Sequence, residues 1–535
     1  MTSTAAAAPP RERLTALARW AAAHRWLLAF GACGLAILLQ RLAALDSAPL
    51  PQYTDEADIG YNAWAVATSG IDEHGHTWPL FFESFHDYSK SPVYVYALAP
   101  LTRILGLTPA VERLPAALSG VAVCALLALA AYRITRSRPV ALLVLLPAGV
   151  EPWLVVQNRV GFDVNAIVLC VAGAIWAVSH AAENGRRGWF VAAGVWTGAT
   201  IYAYETGRVF AVVLWVAIAL SFALPRGRFR NWIYSALPVL GAYVVLLAWS
   251  LRHPGALTAR FGTVSILGDN PGPLTVVARF VNNYIQYWGA PFLANHGDAN
   301  LRHHTGSGGE LLVVTLPAIL LGIGVCATRW REPLPRFTLL GLLLGPVPAA
   351  FTMDGTPHAL RSAVMLPFLL LASAYGWQLM LPWLTRRRMV ASVLAVAALV
   401  EGVVFFNDMY HYWPQRSALA FEAGLGPAVV RAHQAAGSDH EVVLSDHFDG
   451  AYVYAYFWLR TDPHLAATQG LQALHMRVGD IGSAQPGDIM VLDAGQTPPP
   501  GSTLIERETV ELDRPVDLAR APSHGTLVVA SVWRR

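Results

Sequence analysis

Long apolar runs recur through most of the chain, and they restrict it to folds built from membrane-spanning helices. A helix needs about 20 mostly apolar residues to cross a hydrocarbon core about 30 Å thick. Only 14% of the residues are charged and 55% are hydrophobic, whereas a soluble domain carries about 25% charged residues. The runs predict about eleven spans, at residues 27–44, 114–132, 139–157, 164–181, 189–203, 209–224, 232–250, 311–327, 337–351, 362–382 and 389–406.

Arginine clusters follow the even-numbered runs, and they predict the orientation of the chain in the membrane. The clusters are Arg133, Arg136 and Arg138; Arg186 and Arg187; Arg226, Arg228 and Arg230; Arg329, Arg331 and Arg336; and Arg386 to Arg388. Basic loops are retained in the cytoplasm. We therefore expect a multi-pass protein of the inner (cytoplasmic) membrane, with its N-terminus in the cytoplasm and its C-terminus outside.

The segment after the last run has a different composition, which predicts a second domain. Residues 1–406 form the predicted transmembrane domain, with outer loops at 45–113 and 251–310; the short run 93–107 is interpreted as a helix in the interface. Within 407–535, EVVLSD, DIMVLD and TLVVASVW are typical of short buried strands, and LGPAVVRAHQAAG is typical of an amphipathic helix. The fold class expected is a polytopic α-helical membrane protein with a small C-terminal extracytoplasmic α/β domain.

The four cysteines carry no sign of a metal site or a disulfide. Cys33, Cys124, Cys170 and Cys326 all lie in apolar runs without ligand spacing. They are interpreted as small buried side chains, and the terminal domain contains no cysteine to cross-link it.

Polar residues that could carry chemistry fall on the predicted outer side, which indicates one site assembled from several loops. Asp55 and Glu56 fit a general base for an acceptor hydroxyl, or equally the N-cap of the helix that follows. Lys90 is the only lysine in the chain. Its ammonium suits a phosphate partner, or it anchors a helix start at the interface.

Later loops add further candidates, each with a structural alternative. Arg159 could clamp a phosphate or carboxylate group, and Asp163 could be a second carboxylate of the site. Alternatively, the two residues form a salt bridge at the end of a loop. Arg208 lies between two spans, where a charge is costly unless it is used. Zinc needs about four ligands, and the sequence around His303 and His304 does not supply the remaining ones. Arg361 opens a helix on the outer side, where a phosphate could bind, or it serves as a topological anchor.

Signatures of soluble nucleotide-dependent enzymes are absent from the sequence. There is no P-loop, no G-x-G-x-x-G after a strand and no H-E-x-x-H. A glycosyl donor used at an outer site would therefore arrive attached to a lipid, without ATP or a dinucleotide.

The ordered set of these motifs resembles the GT-C superfamily of membrane glycosyltransferases. It is most similar to the bacterial protein-O-mannosyltransferase-like members and more distantly to the aminoarabinose transferases acting on lipid A, over residues 50–380. The matching residues are Asp55-Glu56, Gly60-Tyr61-Asn62, Thr68-Ser-Gly70, Asp72-Glu73-His74-Gly75, Pro79, Asp87-Tyr88, Lys90-Ser-Pro92, Arg113 to Gly120, Asn158-Arg159, Asp163, Tyr202-Ala-Tyr204, Arg208, Asn300 to His304 and Pro357 to Arg361.

The resemblance implies an inverting transfer from a polyprenyl-phosphate-linked sugar on the outer face. It makes Asp55, next to Glu56, the catalytic base, with Asp163 assisting. It places Lys90 on the donor phosphate, with Arg361 or Arg208 as a second contact. The substrate-binding positions predicted on the same motifs are Tyr61, Asp87, Tyr88, Arg159, Tyr204, His303, His304 and His358.

No cofactor is expected, and a divalent cation is the alternative. Ser89 stands where the aminoarabinose transferases carry a carboxylate, which counts against a metal. The acceptor is a protein, a lipid or a cell-envelope glycan, and no nucleic acid is expected as a partner.

Two other functions compete with this interpretation. A transporter would place ionisable residues within spans and break helices near the midplane, whereas the charges here lie at one face. An O-antigen polymerase or ligase would also act at the outer face, but it relies on arginine and histidine in a large late loop. The early Asp55-Glu56 pair favours the first interpretation.

Overall fold

The structure is a computed structural model that describes residues 20, 22–85, 87–223, 229–268, 270–512 and 525–535. Helices make up most of it. The first half contains α1 (Arg25–Leu42), α2 (Thr54–Ser69), α3 (Pro92–Leu105), α4 (Pro109–Thr135), α5 (Arg138–Val150), α6 (Pro152–Gln157), α7 (Val164–Asn184), α8 (Arg187–Ala199), α9 (Gly207–Ile218) and α10 (Phe229–Ser250). The second half contains α11 (Ala259–Val264), α12 (Pro273–Gln286), α13 (Leu316–Thr328), α14 (Pro333–Leu344), α15 (Val347–Ala350), α16 (Leu366–Arg386) and α17 (Arg388–Asn407).

Six helices in the described part of the chain are long and apolar enough to cross a membrane. They are Arg25–Leu42, Pro109–Thr135, Val164–Asn184, Ile233–Ser250, Ala363–Arg386 and Arg388–Ser417. Four shorter apolar helices accompany them: Pro92–Leu105, Arg138–Val150, Gly207–Phe222 and Val313–Thr328. The prediction of a helical membrane protein is confirmed, whereas the expected count of about eleven full spans stays a prediction.

One predicted span, 139–157, is divided in the structure. Helix α5 ends at Val150, Glu151 has an extended backbone (ψ 125°), and α6 begins at Pro152. A residue that precedes proline is pushed away from helical dihedrals. The carboxylate of Glu151 accepts a hydrogen bond from the amide of Leu312 at 2.8 Å, which ties this break to the segment before α13.

The transmembrane core is held together by close helix crossings. Helices α13 and α16 meet at two glycines: a Cβ on Gly322 would lie 1.8 Å from the carbonyl oxygen of Ala372, and one on Gly376 would lie 1.8 Å from that of Ala318. Small residues at such crossings let two helix backbones approach closely in a bilayer.

The first outer loop folds into the short helix α2 and a hairpin. Asp55 and Glu56 occupy the first turn of α2, and Gly70 ends it in the left-handed conformation (φ 76°) that glycine adopts without strain. Strands β1 (Phe82–Ser84) and β2 (Asp87–Lys90) pair antiparallel, which carries Lys90 back towards the start of α2.

The terminal segment contains a five-stranded mixed sheet. Helices α18 (Trp413–Ser417) and α19 (Leu425–Ala436) precede β3 (Val442–Ser445); α20 (Ala451–Leu459) and α21 (Pro463–Gln469) precede β4 (Met476–Gly479); β5 (Ile489–Asp493), β6 (Thr503–Leu512) and β7 (Gly525–Arg534) follow. The order is β4-β3-β5-β7-β6, with β3 parallel to β4 and β5, and β7 antiparallel to β5 and β6. The three strands and the amphipathic helix predicted from sequence are present, and β4 and β6 were not predicted.

The helical run that begins at Arg388 continues to Ser417, beyond the predicted boundary at residue 407. The sheet unit that follows packs against α2 in a shared apolar cluster that includes Ala57, Tyr61, Val453 and Phe457. The first outer loop and this terminal unit, which comprises the described residues 413–512 and 525–535, therefore form one continuous core.

Candidate active site

Loops from distant parts of the sequence enclose a polar cavity of about 180 Å³ at the start of α2. Its walls come from outer loop 1, the turn before α7, the turn before α9, helix α11, the loop 296–310 and the turn before α16. The lining residues are Tyr53, Asp55, Ile59, Phe162, Asp163, Tyr204, Arg260, Asp298, Asn300, Arg302, His303, Asp354, Gly355, His358, Leu360 and Arg361. Six residues predicted from sequence meet here: Asp55, Asp163, Tyr204, His303, His358 and Arg361.

Asp55 and Lys90 form an ion pair at the edge of this cavity. The Nζ atom of Lys90 donates to Oδ1 of Asp55, and Lys90 is only 8% exposed. Although burial favours the neutral carboxyl, the Lys90 ammonium outweighs it and lowers the pKa of Asp55 below its ordinary value. Burial opposes the charge of Lys90 as well, but Asp55 and Asp58 raise its pKa. Asp55 is therefore ionised at neutral pH.

Asp163 is a second carboxyl group in the same cavity, and its environment differs. It is 7% exposed and accepts a hydrogen bond from the backbone N–H of Ser91 at 3.2 Å. Burial raises the pKa of Asp163 to about 7, and Lys90 only partly offsets this rise. Two carboxyl groups whose pKa values are pushed apart can take different roles in acid–base chemistry.

Arginines supply positive charge around the two carboxylates. Arg302 lies over the ring of Tyr53, with its guanidinium carbon 4.2 Å from the ring centroid. Arg361 donates to the Asp354 carboxylate at 2.9 Å and to the Thr352 hydroxyl at 3.2 Å. Planar guanidinium groups of this kind bind phosphate and carboxylate groups in a bidentate manner.

A second cavity of about 300 Å³ adjoins the first and is largely apolar. Tyr204, Arg260 and Arg361 line both cavities. The remaining lining residues of the second are Glu205, Thr206, Arg208, Val209, Leu257, Thr258, Phe261, Val264, Pro348 and Thr352. Arg208 is therefore in the second cavity, where its guanidinium carbon lies 4.9 Å from the ring centroid of Phe81. The pair of cavities offers cationic groups next to an apolar surface.

His303, His358 and Asp298 form a buried cluster in the wall of the polar cavity. The Nδ1 atom of His303 lies 3.0 Å from Oδ2 of Asp298, and the two imidazole rings are 4.5 Å apart. Oδ2 of Asp298 also accepts the backbone N–H of Ala359 at 2.7 Å. Burial lowers the pKa of both histidines, so both are neutral at pH 7.

These three side chains are also the candidate metal ligands in the described residues. One ligand atom from each lies within 4.8 Å of the others. Zinc takes about four ligands, and the Asp298 oxygen nearest His303 already accepts a backbone hydrogen bond. The cluster can hold a cation only if a substrate or water completes the ligand set.

Glu56 was predicted beside Asp55 in the site, but the structure places it outside the cavity. Its carboxylate is fully buried and receives two hydrogen bonds from Arg113, at 2.7 and 2.8 Å, and one from the amide of Gly161 at 2.9 Å. These donors occupy both carboxylate oxygens. The geometry gives Glu56 a structural role, in which it ties α2 to the start of α4.

Arg159, His304 and Tyr61 likewise point into packed regions. Arg159 is fully buried and donates to the carbonyls of residues 43, 44 and 48 at 2.7, 2.5 and 2.5 Å. His304 accepts a hydrogen bond from the amide of Gly306 at 3.1 Å. The Tyr61 hydroxyl donates to the carbonyl of Thr461 in the terminal unit at 2.9 Å.

Asp87 and Tyr88 lie on strand β2, beside the two cavities but not among the residues that line them. The ring of Tyr88 packs edge-on against Trp249 at 5.3 Å and His253 at 5.2 Å. The Tyr88 carbonyl accepts a hydrogen bond from Arg208 at 3.4 Å. This strand therefore supports the wall that carries Lys90 and Arg208.

Several lining residues were not predicted from sequence, namely Tyr53, Arg260, Asp298, Arg302 and Asp354. Three of them, Arg260, Asp298 and Arg302, fall within the predicted outer loop 251–310, and Arg302 lies between the predicted Asn300 and His304. Their position in a polar outer loop was the available signal, but nothing in the local pattern separates them from solvent-facing residues of the same loop.

Comparisons with known proteins agree with this architecture. Residues 89–252 match the family model of the dolichyl-phosphate-mannose-protein mannosyltransferases. ArnT from Cupriavidus metallidurans in the apo state is 15% identical, with a TM-score of 0.56, and the match covers 95% of this chain and 98% of that one. The structure of ArnT bound to undecaprenyl phosphate gives 13% identity and a TM-score of 0.53, with the same coverage.

The oligosaccharyltransferase AglB from Archaeoglobus fulgidus, in complex with an inhibitory peptide and a dolichol-phosphate, is 14% identical, with a TM-score of 0.50. That match covers 89% of this chain and 70% of AglB. No curated protein sequence matches the chain. The fold is that of ArnT and AglB, and the resemblance stated from the sequence is confirmed.

Proposed function

We propose that the chain is an inverting glycosyltransferase that moves a sugar from a polyprenyl-phosphate donor to an acceptor at the outer face of the cytoplasmic membrane. One observation carries the proposal: Asp55 and Asp163 share a cavity with Arg260, Arg302 and Arg361, and an apolar cavity adjoins it through shared wall residues. This arrangement suits a reaction with an anionic, lipid-linked leaving group.

The donor phosphate and its lipid fit the two adjoining cavities. Arg361 and Arg260 line both, Arg208 lies in the apolar one, and Lys90 lies beside the polar one. Fixed cationic donors stabilise a phosphate oxygen as negative charge develops on it. The apolar wall formed by Val209, Leu257 and Phe261 suits the first part of the polyprenyl chain.

Transfer then requires removal of a proton from the acceptor. The acceptor oxygen attacks the anomeric carbon, the bond from that carbon to the phosphate oxygen breaks, and the polyprenyl phosphate leaves with the bonding electrons. Asp55 takes the acceptor proton. Attack from the face opposite the phosphate inverts the anomeric configuration. A donor phosphate competes with Asp55 for the Lys90 ammonium, and loss of that partner makes Asp55 more basic.

Asp163 and the two histidines have roles that differ from that of Asp55. Asp163 holds or releases a proton near neutral pH and orients the acceptor. The neutral imidazoles of His303 and His358 are hydrogen-bond partners for sugar hydroxyls, and Tyr204 packs at the boundary of the two cavities.

The proposal is tested by comparing wild type with Asp55→Asn, each incubated with radiolabelled polyprenyl-phosphate sugars and a membrane extract as the acceptor source. We expect transfer by wild type and a loss of about 100-fold or more in Asp55→Asn, the scale of general-base catalysis. Asp439→Asn is the matched control, because Asp439 is exposed on the terminal unit. Equal transfer by wild type and Asp55→Asn would remove Asp55 from the mechanism.

A second candidate function is a ligase-type transfer from a lipid-diphosphate glycan. Arg302 and His303 in the late outer loop line the same cavity, and arginine with histidine in such a loop was the feature expected of that class. A donor panel that includes a polyprenyl-diphosphate oligosaccharide distinguishes the two. Turnover of the diphosphate donor alone, insensitive to Asp55→Asn, would favour the ligase.

A further inference from the structure

We infer that the terminal unit positions the catalytic base: Glu422 and Tyr454 hold Thr54, and through it the first turn of α2 that carries Asp55. The inference rests on the proposed function, because it takes Asp55 as the base. It gives the described residues 413–512 and 525–534 a role in the active site, although none of these lines the cavity.

The first step is a buried hydrogen-bond network at Thr54, the residue before Asp55. Its hydroxyl lies 2.8 Å from a carboxylate oxygen of Glu422 and 2.9 Å from the backbone carbonyl of Asp449. The hydroxyl of Tyr454 lies 2.5 Å from the same carboxylate oxygen and 2.8 Å from the carbonyl of Gln52. The terminal unit therefore holds Gln52 and Thr54, the residues on either side of Tyr53.

Glu422 has a backbone conformation that fits a positioning role. Its φ is 50°, in the left-handed region that residues other than glycine seldom adopt. Such conformations are strained and persist where surrounding contacts demand them. Here the conformation directs the carboxylate towards Thr54 and Tyr454.

The second step is close packing along α2. A Cβ on Gly60 would lie 2.6 Å from the ring of Phe457, so α20 sits directly against the helix backbone there. The Trp458 indole donates to the side chain of Gln52 at 3.2 Å, and Tyr61 donates to Thr461. Helix α2 consequently has little freedom to rotate or shift about its own axis.

The third step concerns the opposite wall of the cavity. Trp413 donates from its indole N–H to the carbonyl of Leu301 at 2.8 Å, and Arg416 donates to the carbonyl of Thr305 at 3.0 Å. These contacts bracket Arg302 and His303. The start of the terminal segment thus holds one wall while Glu422 and Tyr454 hold the other, so the distance between Asp55 and the late loop is set from outside the cavity.

The test uses the full-length protein and two measurements. Glu422→Ala and Tyr454→Phe are expected to lower kcat about 10- to 100-fold with little change in donor KM, because a base displaced by about 1 Å loses that much rate. Glu422→Gln keeps a carbonyl oxygen that accepts the Thr54 hydroxyl, and it should recover most of the activity. Tyr456→Phe is the matched control on the same helix, since its ring packs on Tyr61 at 5.2 Å and is retained.

Amide hydrogen exchange of residues 53–60 supplies a readout that does not need turnover. We expect faster exchange in Glu422→Ala and Tyr454→Phe, and wild-type exchange in Glu422→Gln and Tyr456→Phe. Unchanged exchange and unchanged kcat in a folded Glu422→Ala would overturn the inference. A fall in kcat that merely follows a fall in thermal stability across all four variants would overturn it as well.

The two proposals fail in different ways. If wild type transfers no sugar from any donor while exchange in 53–60 still responds to Glu422→Ala, the proposed function fails and the contact with α2 stands. If wild type transfers sugar through Asp55 and exchange does not respond, the positioning role fails alone.

Discussion

Asp55 and Asp163 lie in one cavity, yet the pKa values of their carboxyl groups shift in opposite directions. Lys90 lowers the pKa of Asp55, and burial raises that of Asp163 to about 7. An unfolded aspartate has a pKa of about 3.9. The folded state therefore holds the Asp163 proton more tightly than the unfolded state, so stability from this group is greatest below about pH 4 and is lost as the pH rises towards 7.

We expect Asp163→Asn to remove this part of the pH dependence. Thermal unfolding in detergent, measured from pH 5 to pH 8, should show wild type losing more stability than the variant, by at least about 2 °C. Asp55→Asn should not flatten the curve in this range, because a lowered pKa makes its contribution disappear only below about pH 4. Parallel curves for wild type and Asp163→Asn would contradict the raised pKa.

The Glu56–Arg113 pair makes a second prediction for single residues. Both side chains are fully buried, so Arg113→Met leaves an unpaired carboxylate inside the protein. We expect the free energy of unfolding to fall by about 3–5 kcal/mol. The loss should be visible as a smaller fraction of protein that remains monodisperse after heating. Combining Glu56→Leu with Arg113→Met should recover part of it. Glu183→Gln, which breaks an exposed pair with Arg133, should have no measurable effect.

Among the elements, the crossing of α13 and α16 depends on glycine. Gly322→Val places a side chain within 1.8 Å of the Ala372 carbonyl oxygen, and the helices must separate. We expect a large loss of thermal stability, since overpacking a tight contact costs about 1–3 kcal/mol or more. Gly324→Val, on the same helix but with open space at its Cβ position, is the control. Equal stability of the two variants would show that the crossing is looser.

Local patterns predicted these elements where the pattern is strong. The apolar runs marked most of the helices, and buried strands such as Val442–Ser445 were visible as short apolar segments. Strand β6 was missed because Thr503–Leu512 is an edge strand with mostly exposed, polar residues, which resemble a loop. The helix break at Glu151 could have been predicted from the proline that follows it. The apolar residues on both sides, however, made 139–157 resemble one continuous span.

The site was predicted only in part, for a related reason. Asp55, Asp163, His303 and Arg361 could be found because each lies in a polar motif on the predicted outer side, between apolar runs. Glu56 and Arg159 satisfy the same criterion, but their partners decide their role. Arg113 lies 57 residues from Glu56, and the carbonyls bound by Arg159 lie 111–116 residues away. Such contacts follow from the tertiary fold and cannot be inferred from local sequence.

At the scale of the whole molecule, the hydrogen bond between Thr54 and Glu422 joins residues 368 positions apart. A ribosome delivers the first outer loop long before the residues that hold it. Contacts this distant in sequence form late, after the intervening chain has been ordered. The membrane helices can thus be inserted while the first turn of α2, which carries Asp55, still lacks its final support. The cavity wall that carries Asp55 is therefore completed only after residue 422 has been synthesised and the terminal unit has packed against α2.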